Sequence, residues 1–181
     1  MYILIDGRIP SKSKEKLSEY GQLIEFTANN SVYQAISGHP DIFCCNINNK
    51  LIIAPETKFE IINIFEKLGI EFIFGKSKLG KKYPETACYN AVVTDKYLIH
   101  NLKITDSIIL DYSKNLSKIH VNQGYTRCNL IALDNDYFIT SDMGIYNKLS
   151  SLLQNKVFYV NPRNITLPTL DYGFFGGCCG Y

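Results

Sequence analysis

The sequence predicts an α/β fold built as a propeller-like array of ββαβ units, not one doubly wound sheet. Three observations predict it. The order strand, hairpin strand, helix, strand recurs three times between residues 42 and 160. Each copy carries a cysteine and an asparagine in its first strand, as Cys45-Asn46, Cys88-Tyr89-Asn90 and Cys128-Asn129, and the cysteines lie 43 and 40 residues apart. A period near 40 with four elements per copy marks an array assembled unit by unit.

The elements follow in order. Residues 2–5 are β-branched and aromatic and read as an opening strand, broken by Gly7-Arg8-Ile9-Pro10. Residues 11–20 read as a helix capped by Ser11 or Ser13 and ended by Gly21; residues 22–26 read as a strand. In the first full unit, residues 42–47 and 50–54 form a hairpin about the Asn48-Asn49 turn. A helix then starts at Thr57, with Glu60 completing a capping box, and a strand covers residues 71–74. The second unit has strands 86–93 and 96–100, a helix capped by Thr105 or Asp106, and strand 118–121. The third has strands 125–133 and 137–140, a helix capped by Ser141 or Asp142, and strand 156–160. Residues 173–179 then read as the first strand of a fourth unit, with Cys178 in register 50 residues after Cys128. The whole is one domain with units at about 1–37 (partial), 38–82, 83–122, 123–171 and 172–181 (partial). Such an array leaves a strand edge to be covered by residues 2–5, by a second chain or by further residues, so a homo-oligomer through that edge is an expectation.

Composition narrows the partners. With 46% hydrophobic and 20% charged residues, the 181-residue chain is an ordinary globular sequence. A net charge of +2, with Lys76, Lys78, Lys81 and Lys82 as the densest basic group, argues against nucleic acid. No apolar run approaches ~18 residues, which argues against a membrane span. The N-terminal apolar run is too short for a signal peptide. The six cysteines form no Cys-x-x-Cys, and the adjacent pairs Cys44-Cys45 and Cys178-Cys179 have poor disulfide geometry. Reduced thiols in a cytoplasm are therefore expected. Zinc-ligand spacing is absent, so neither metal nor cofactor is expected.

On these residues the sequence resembles the pentein superfamily of guanidine-modifying enzymes. The likeness rests on the repeat order over residues 42–181, on Gly38-His39-Pro40-Asp41, similar to the family's His-x-Asp element, and on Phe175-Gly176-Gly177-Cys178-Cys179, similar to its Gly-rich stretch before a nucleophilic cysteine. It looks like a small branch whose motifs depart from the family's, or a truncated one: Cys178 follows Gly177 directly, and no acid upstream of His39 sits in a matching motif. The resemblance implies five ββαβ-type units about a pseudo-fivefold axis. It also implies a hydrolase or transferase acting on a guanidino compound through Cys178 or Cys179, with His39 as proton shuttle and Asp41 orienting it or binding substrate. The alternative is a non-catalytic binding module, as in the ribosome anti-association factors, or a truncated inactive homologue.

Each candidate also has a structural reading. Cys178 and Cys179 have repeat partners in Cys44, Cys45, Cys88 and Cys128, which favours small core residues. Pro40 and Asp41 fit a loop and its cap. Asn46, Asn90 and Asn129 are expected to line the axis and bond neighbouring units, or else to contact ligand. Arg127 fits a substrate carboxylate. Glu85 matches Asp41 one unit on, each preceded by a proline, and is a further candidate to bind substrate.

Overall fold

A computed structural model describes residues 1–165 and 173–179, apart from the side chains of Asn135 and Cys178. The chain opens with β1 (Tyr2–Asp6), α1 (Ser11–Ser18) and β2 (Gln22–Phe26), and the two strands pair in parallel. A four-residue helix, α2 (Pro40–Phe43), leads directly into β3 (Cys44–Ile47), then β4 (Lys50–Ile53), α3 (Phe59–Lys67) and β5 (Phe72–Phe74). Next come β6 (Val92–Val93), β7 (Tyr97–His100), α4 (Ser107–Tyr112) and β8 (Ser117–His120). The last set is α5 (Thr126–Asn129), β9 (Leu130–Leu133), β10 (Tyr137–Thr140), α6 (Met143–Leu153) and β11 (Val157–Tyr159).

In the three-stranded sheets β3-β4-β5, β6-β7-β8 and β9-β10-β11, the first strand is antiparallel to the second and the second parallel to the third. A helix supplies the parallel crossover each time, since parallel neighbours need a connection long enough to reverse direction. The fourth sheet is the β1-β2 pair. Among the described strands the sheets are separate and none is closed, so strand pairing by itself does not define the circular array predicted from the sequence.

Several expectations need correction at the start of each sheet. Residues 42–47, 86–93 and 125–133 do not begin as strands. Each begins as a helical turn: α2, the turn Glu85–Ala87, and α5. Residues 173–179 likewise contain the turn Gly176–Cys178 and no strand, so they expose no strand edge. A side chain folds back on the start of each turn. Cys44 Sγ donates to Pro40 O (3.0 Å), Cys88 Sγ to Pro84 O (3.8 Å), Asn129 Nδ2 to Tyr125 O (2.9 Å) and Cys179 Sγ to Phe175 O (3.4 Å). These local bonds compete with the strand ladder. The predicted capping box on α3 does not form: Lys58 is its N-cap, and Thr57 Oγ1 is buried without a hydrogen-bond partner among the described residues. Nor does a serine cap α1, whose N-cap is Pro10. The caps of α4 and α6 are Asp106 and Asp142, whose carboxylates accept from Ile108 N and Ile145 N. Asn48 and Asn49 have φ of 50° and 63°, the left-handed pair that a two-residue hairpin turn requires.

The core has two connected parts. One gathers Ile24, Phe26, Phe43, Ile52, Phe65, Tyr89, Leu98 and Ile109; the other gathers Val92, Ile99, Ile119, Leu130, Phe138, Ile145 and Leu149. Adjacent residues Leu98 and Ile99 of β7 fall in different parts, as alternation along a strand dictates, so the middle sheet is buried on both faces. Phe65 packs on Phe26 (6.3 Å) and Phe72 (6.1 Å), joining α3 to β2 and β5. Truncating it empties a fully buried position, and Phe65→Ala is expected to lower unfolding free energy by about 3–5 kcal/mol in a denaturant titration.

His100 is fully buried, with Nδ1 2.7 Å from Thr105 Oγ1 and Nε2 2.8 Å from Gly124 O. Burial drives its pKa down to about 4 against the hydrogen bonds from backbone groups that raise it. The folded state therefore holds a neutral imidazole where the unfolded chain is protonated. Its contribution is complete above the unfolded value near 6.5 and is lost as pH falls towards 4. Stability of the wild type should drop by up to about 3 kcal/mol across that window, and by clearly less in His100→Gln. Urea titrations at pH 7.5 and 4.5 measure the difference.

Candidate functional site

Some of the residues expected to carry function meet at the helical turns. Asp41, on α2, accepts a hydrogen bond from the thiol of Cys128 on α5, with Sγ to Oδ2 at 3.0 Å. Asn90, fully buried, ties both to the middle sheet. Its Nδ2 donates to Asp41 O (3.0 Å) and lies 3.3 Å from Cys128 Sγ, and its Oδ1 accepts from Cys128 N (3.1 Å). Asn129 is also buried; its amide donates to Tyr125 O and its Oδ1 accepts from Ser141 Oγ. Asn46 does not join them: it sits exposed in the middle of β3. The hairpin ladders explain why. Asn129 O accepts from Ser141 N as Phe43 O accepts from Ala54 N, so Asn129 matches Phe43 and not Asn46. Glu85 is exposed as well.

Arg127 donates to backbone carbonyls of the chain. Its Nη1 donates to Gly176 O (3.0 Å) and its Nη2 to Cys179 O (3.1 Å), clasping the C-terminal turn. Gly176 lies so close to α5 that a Cβ there would sit 2.4 Å from Arg127 O. The clasp brings the Gly-Gly-Cys-Cys turn onto α5, whose Cys128 holds Asp41. Cys179 is half-buried; the side chain of Cys178 lies outside the described residues.

His39 turns away from this cluster. It is the N-cap residue of α2, and its Nε2 lies 3.6 Å from Asp6 Oδ2, not beside Asp41. Asp6, at the end of β1, is the residue that sequence reasoning passed over. Its side chain is 11% exposed, and Gly38 lies against the carboxylate, where a Cβ would be 2.7 Å from Oδ1. Burial pushes the Asp6 carboxyl up. Hydrogen bonds from the Arg8 side chain and backbone, then the charges of Arg8 and His39, outweigh it and hold the group below the usual carboxylate range. The carboxylate is therefore anionic at neutral pH. Its one sequence signal was an Asp-Gly-Arg turn at a strand end, which names no partner.

The thiols around this site differ from an activated nucleophile. Burial pushes Cys44 far up and Cys45 up to about 12, and it raises Cys88. Cys128 is raised well above the ordinary thiol value by burial and then by Asp41. None of these four is a thiolate at neutral pH. Among the described residues no three His, Cys, Asp or Glu side chains converge as metal ligands, and no helix is long and apolar enough to cross a membrane. A cleft of about 700 Å³ lies elsewhere, lined by Tyr83, His120, Asn122, Gln123, Asp142 and Lys148, and contains none of the predicted site residues.

The model of a family of unknown function, DUF6873, matches residues 4–181, and the chain belongs to that family. No curated protein matches it. Among solved structures, C. jejuni agmatine deiminase is similar at a TM-score of 0.33 and 14% identity, over 99% of this chain and 51% of that one. The chain thus spans about half the length of that enzyme. The likeness is weak, and the chain's own residues carry the reading that follows.

Hydrogen bonds to a charged group contribute about 1.5–3 kcal/mol each, so two from Arg127 hold the C-terminal turn firmly. Arg127→Ala should raise the alkylation rate of Cys179 by iodoacetamide about tenfold, with Arg127→Lys between it and wild type, read by peptide mass spectrometry. An unchanged rate would show that the clasp does not hold the turn.

Proposed function

We propose that this chain is a pentein-like protein, its units arranged as in a propeller, that acts as a hydrolase or transferase on a guanidino compound. The observation that carries the reading is the ionised, nearly buried Asp6 carboxylate beside the His39 imidazole. A carboxylate of that kind pairs with a planar cation through two parallel hydrogen bonds. The Arg127 clasp adds support, since it fixes the Cys178-Cys179 turn to the helix that holds Asp41.

In this reading a thiolate of Cys178 or Cys179 forms a C–S bond to the guanidino carbon. His39 protonates the departing nitrogen, and the C–N bond breaks. In a hydrolase, His39 then takes a proton from water, whose oxygen attacks the same carbon; the C–S bond breaks and the thiolate returns. In a transferase, an acceptor amine replaces the water. Asp6 holds the cation, and Asp41 acts on the site through Cys128 and α5.

A second reading is a binding module without thiol chemistry, or an inactive homologue. Burial raises Cys44, Cys45, Cys88 and Cys128, so none of these four thiols can stand in as the nucleophile, which favours it. A chloroacetamidine, a cationic amidine that alkylates thiols, separates the two. The enzyme reading expects selective labelling of Cys178 or Cys179, slowed about 100-fold or more in Asp6→Asn, with neutral iodoacetamide little affected. Labelling that is absent, or equal for both reagents, leaves the binding module.

A further inference from the structure

The Asp6 carboxylate already holds a guanidinium, and it belongs to the chain itself. Arg8 Nε donates to Asp6 Oδ1 (2.9 Å) and Nη2 to Asp6 Oδ2 (2.6 Å), the two-pronged arrangement of a guanidinium on a carboxylate. The remaining edge is met by backbone. Nη1 donates to Gln34 O (2.7 Å) and Nη2 to Ala35 O (3.2 Å), both in the turn Gln34–Ile36 that runs into Gly38-His39. One carboxylate and two carbonyls thus satisfy all three nitrogens, with an imidazole at the rim. The unequal exposure of the pair matters: the Asp6 side chain is 11% exposed and that of Arg8 42%. The acceptors are fixed by β1 and the turn, whereas the cation is carried by a partly exposed side chain.

We propose that Arg8 is an intramolecular occupant of a guanidinium site, and that an external alkylguanidinium binds Asp6, Gln34 O and Ala35 O only by displacing it. This rests on the function proposed above and adds its regulation. The occupant is tethered two residues from its acceptor, so it competes at a high effective concentration. A free ligand therefore binds the wild type weakly. A lysine in place of Arg8 keeps the charge but cannot span both carboxylate oxygens and both carbonyls, because an ammonium lacks the planar fork. The occupant is thus chosen for shape as well as sign.

The test uses methylguanidinium as probe and methylammonium as control, with binding read by calorimetry on wild type, Arg8→Ala, Arg8→Gln and Arg8→Ala/Asp6→Asn. The two single variants are expected to bind methylguanidinium at least tenfold more tightly than wild type and to prefer it over methylammonium; the double variant is expected to lose that binding. Arg8→Gln keeps amide donors for the two carbonyls and covers the case in which Arg8→Ala does not fold. The proposal is overturned if the folded single variants bind no more tightly than wild type, or if methylammonium binds equally well. Chloroacetamidine labelling separates the two layers. Labelling as fast in wild type as in Arg8→Ala overturns the occupant and leaves the guanidino function standing. Tight methylguanidinium binding in Arg8→Ala without thiol labelling keeps the site and removes the chemistry.

Discussion

The structure depends on the buried side-chain amide of Asn90. It is fully enclosed, and a polar group in that position is costly unless its bonds are made. Its amide nitrogen reaches Asp41 O and Cys128 Sγ, and its carbonyl receives Cys128 N–H, while its own backbone carbonyl receives Arg127 N–H. One residue thereby links α2, the middle sheet and α5. Around it, separate sheets that share no strand ladder are held in register. Apolar packing on both faces of β7 joins the two parts of the core, but packing is tolerant of sliding. The Asn90 bonds are directional and set the relative positions of the helical turns on which the candidate site is built.

Much of the strand and helix order was legible because it rests on local chemistry. Asn48-Asn49 adopts the left-handed turn that few other residues enter easily, and Asp106 and Asp142 are acidic caps before apolar helices. The starts of the sheets were not legible. Ile42-Phe43-Cys44-Cys45 has the β-branched and aromatic content of a strand, and a four-residue helix shows no period. Its helical half is fixed by Pro40 at its first position and by the Cys44 thiol closing back on it, together with contacts from other units. The near-40 spacing of cysteines and asparagines was real in the sequence, yet the register it implied was off by three residues at Asn46. A hairpin ladder, not residue identity, decides which positions correspond.

The candidate site shows the same division. His39, Asp41 and the Gly-Cys-Cys turn could be picked out by type and order. Their partners could not, because Asp6 reaches His39 across 33 residues and Cys128 reaches Asp41 across 87. Arg127 stands out in the sequence by its rarity, but its two acceptors, Gly176 O and Cys179 O, lie about 50 residues away and have no local signature. Asp6 is one of several acids upstream of His39 and could not be told from the others, because a lone acid at a strand end has no signature. What marks it is a glycine, Gly38, that leaves room for its carboxylate.

The four back-bonded turns have a chemical consequence. Cys44, Cys88 and Cys179 close theirs with a thiol, whereas Asn129 closes the corresponding turn with an amide. A thiol is a donor only while it keeps its hydrogen; oxidation to a sulfinic acid replaces it with a charged acceptor facing a carbonyl. Burial keeps the Cys44 and Cys88 thiols protonated and slow to oxidise, so of the three thiol closures the half-buried Cys179 is the one that oxidants reach first. Damage to this protein would spread unevenly, sparing the α5 corner that carries Arg127 and unfastening the turn that Arg127 holds.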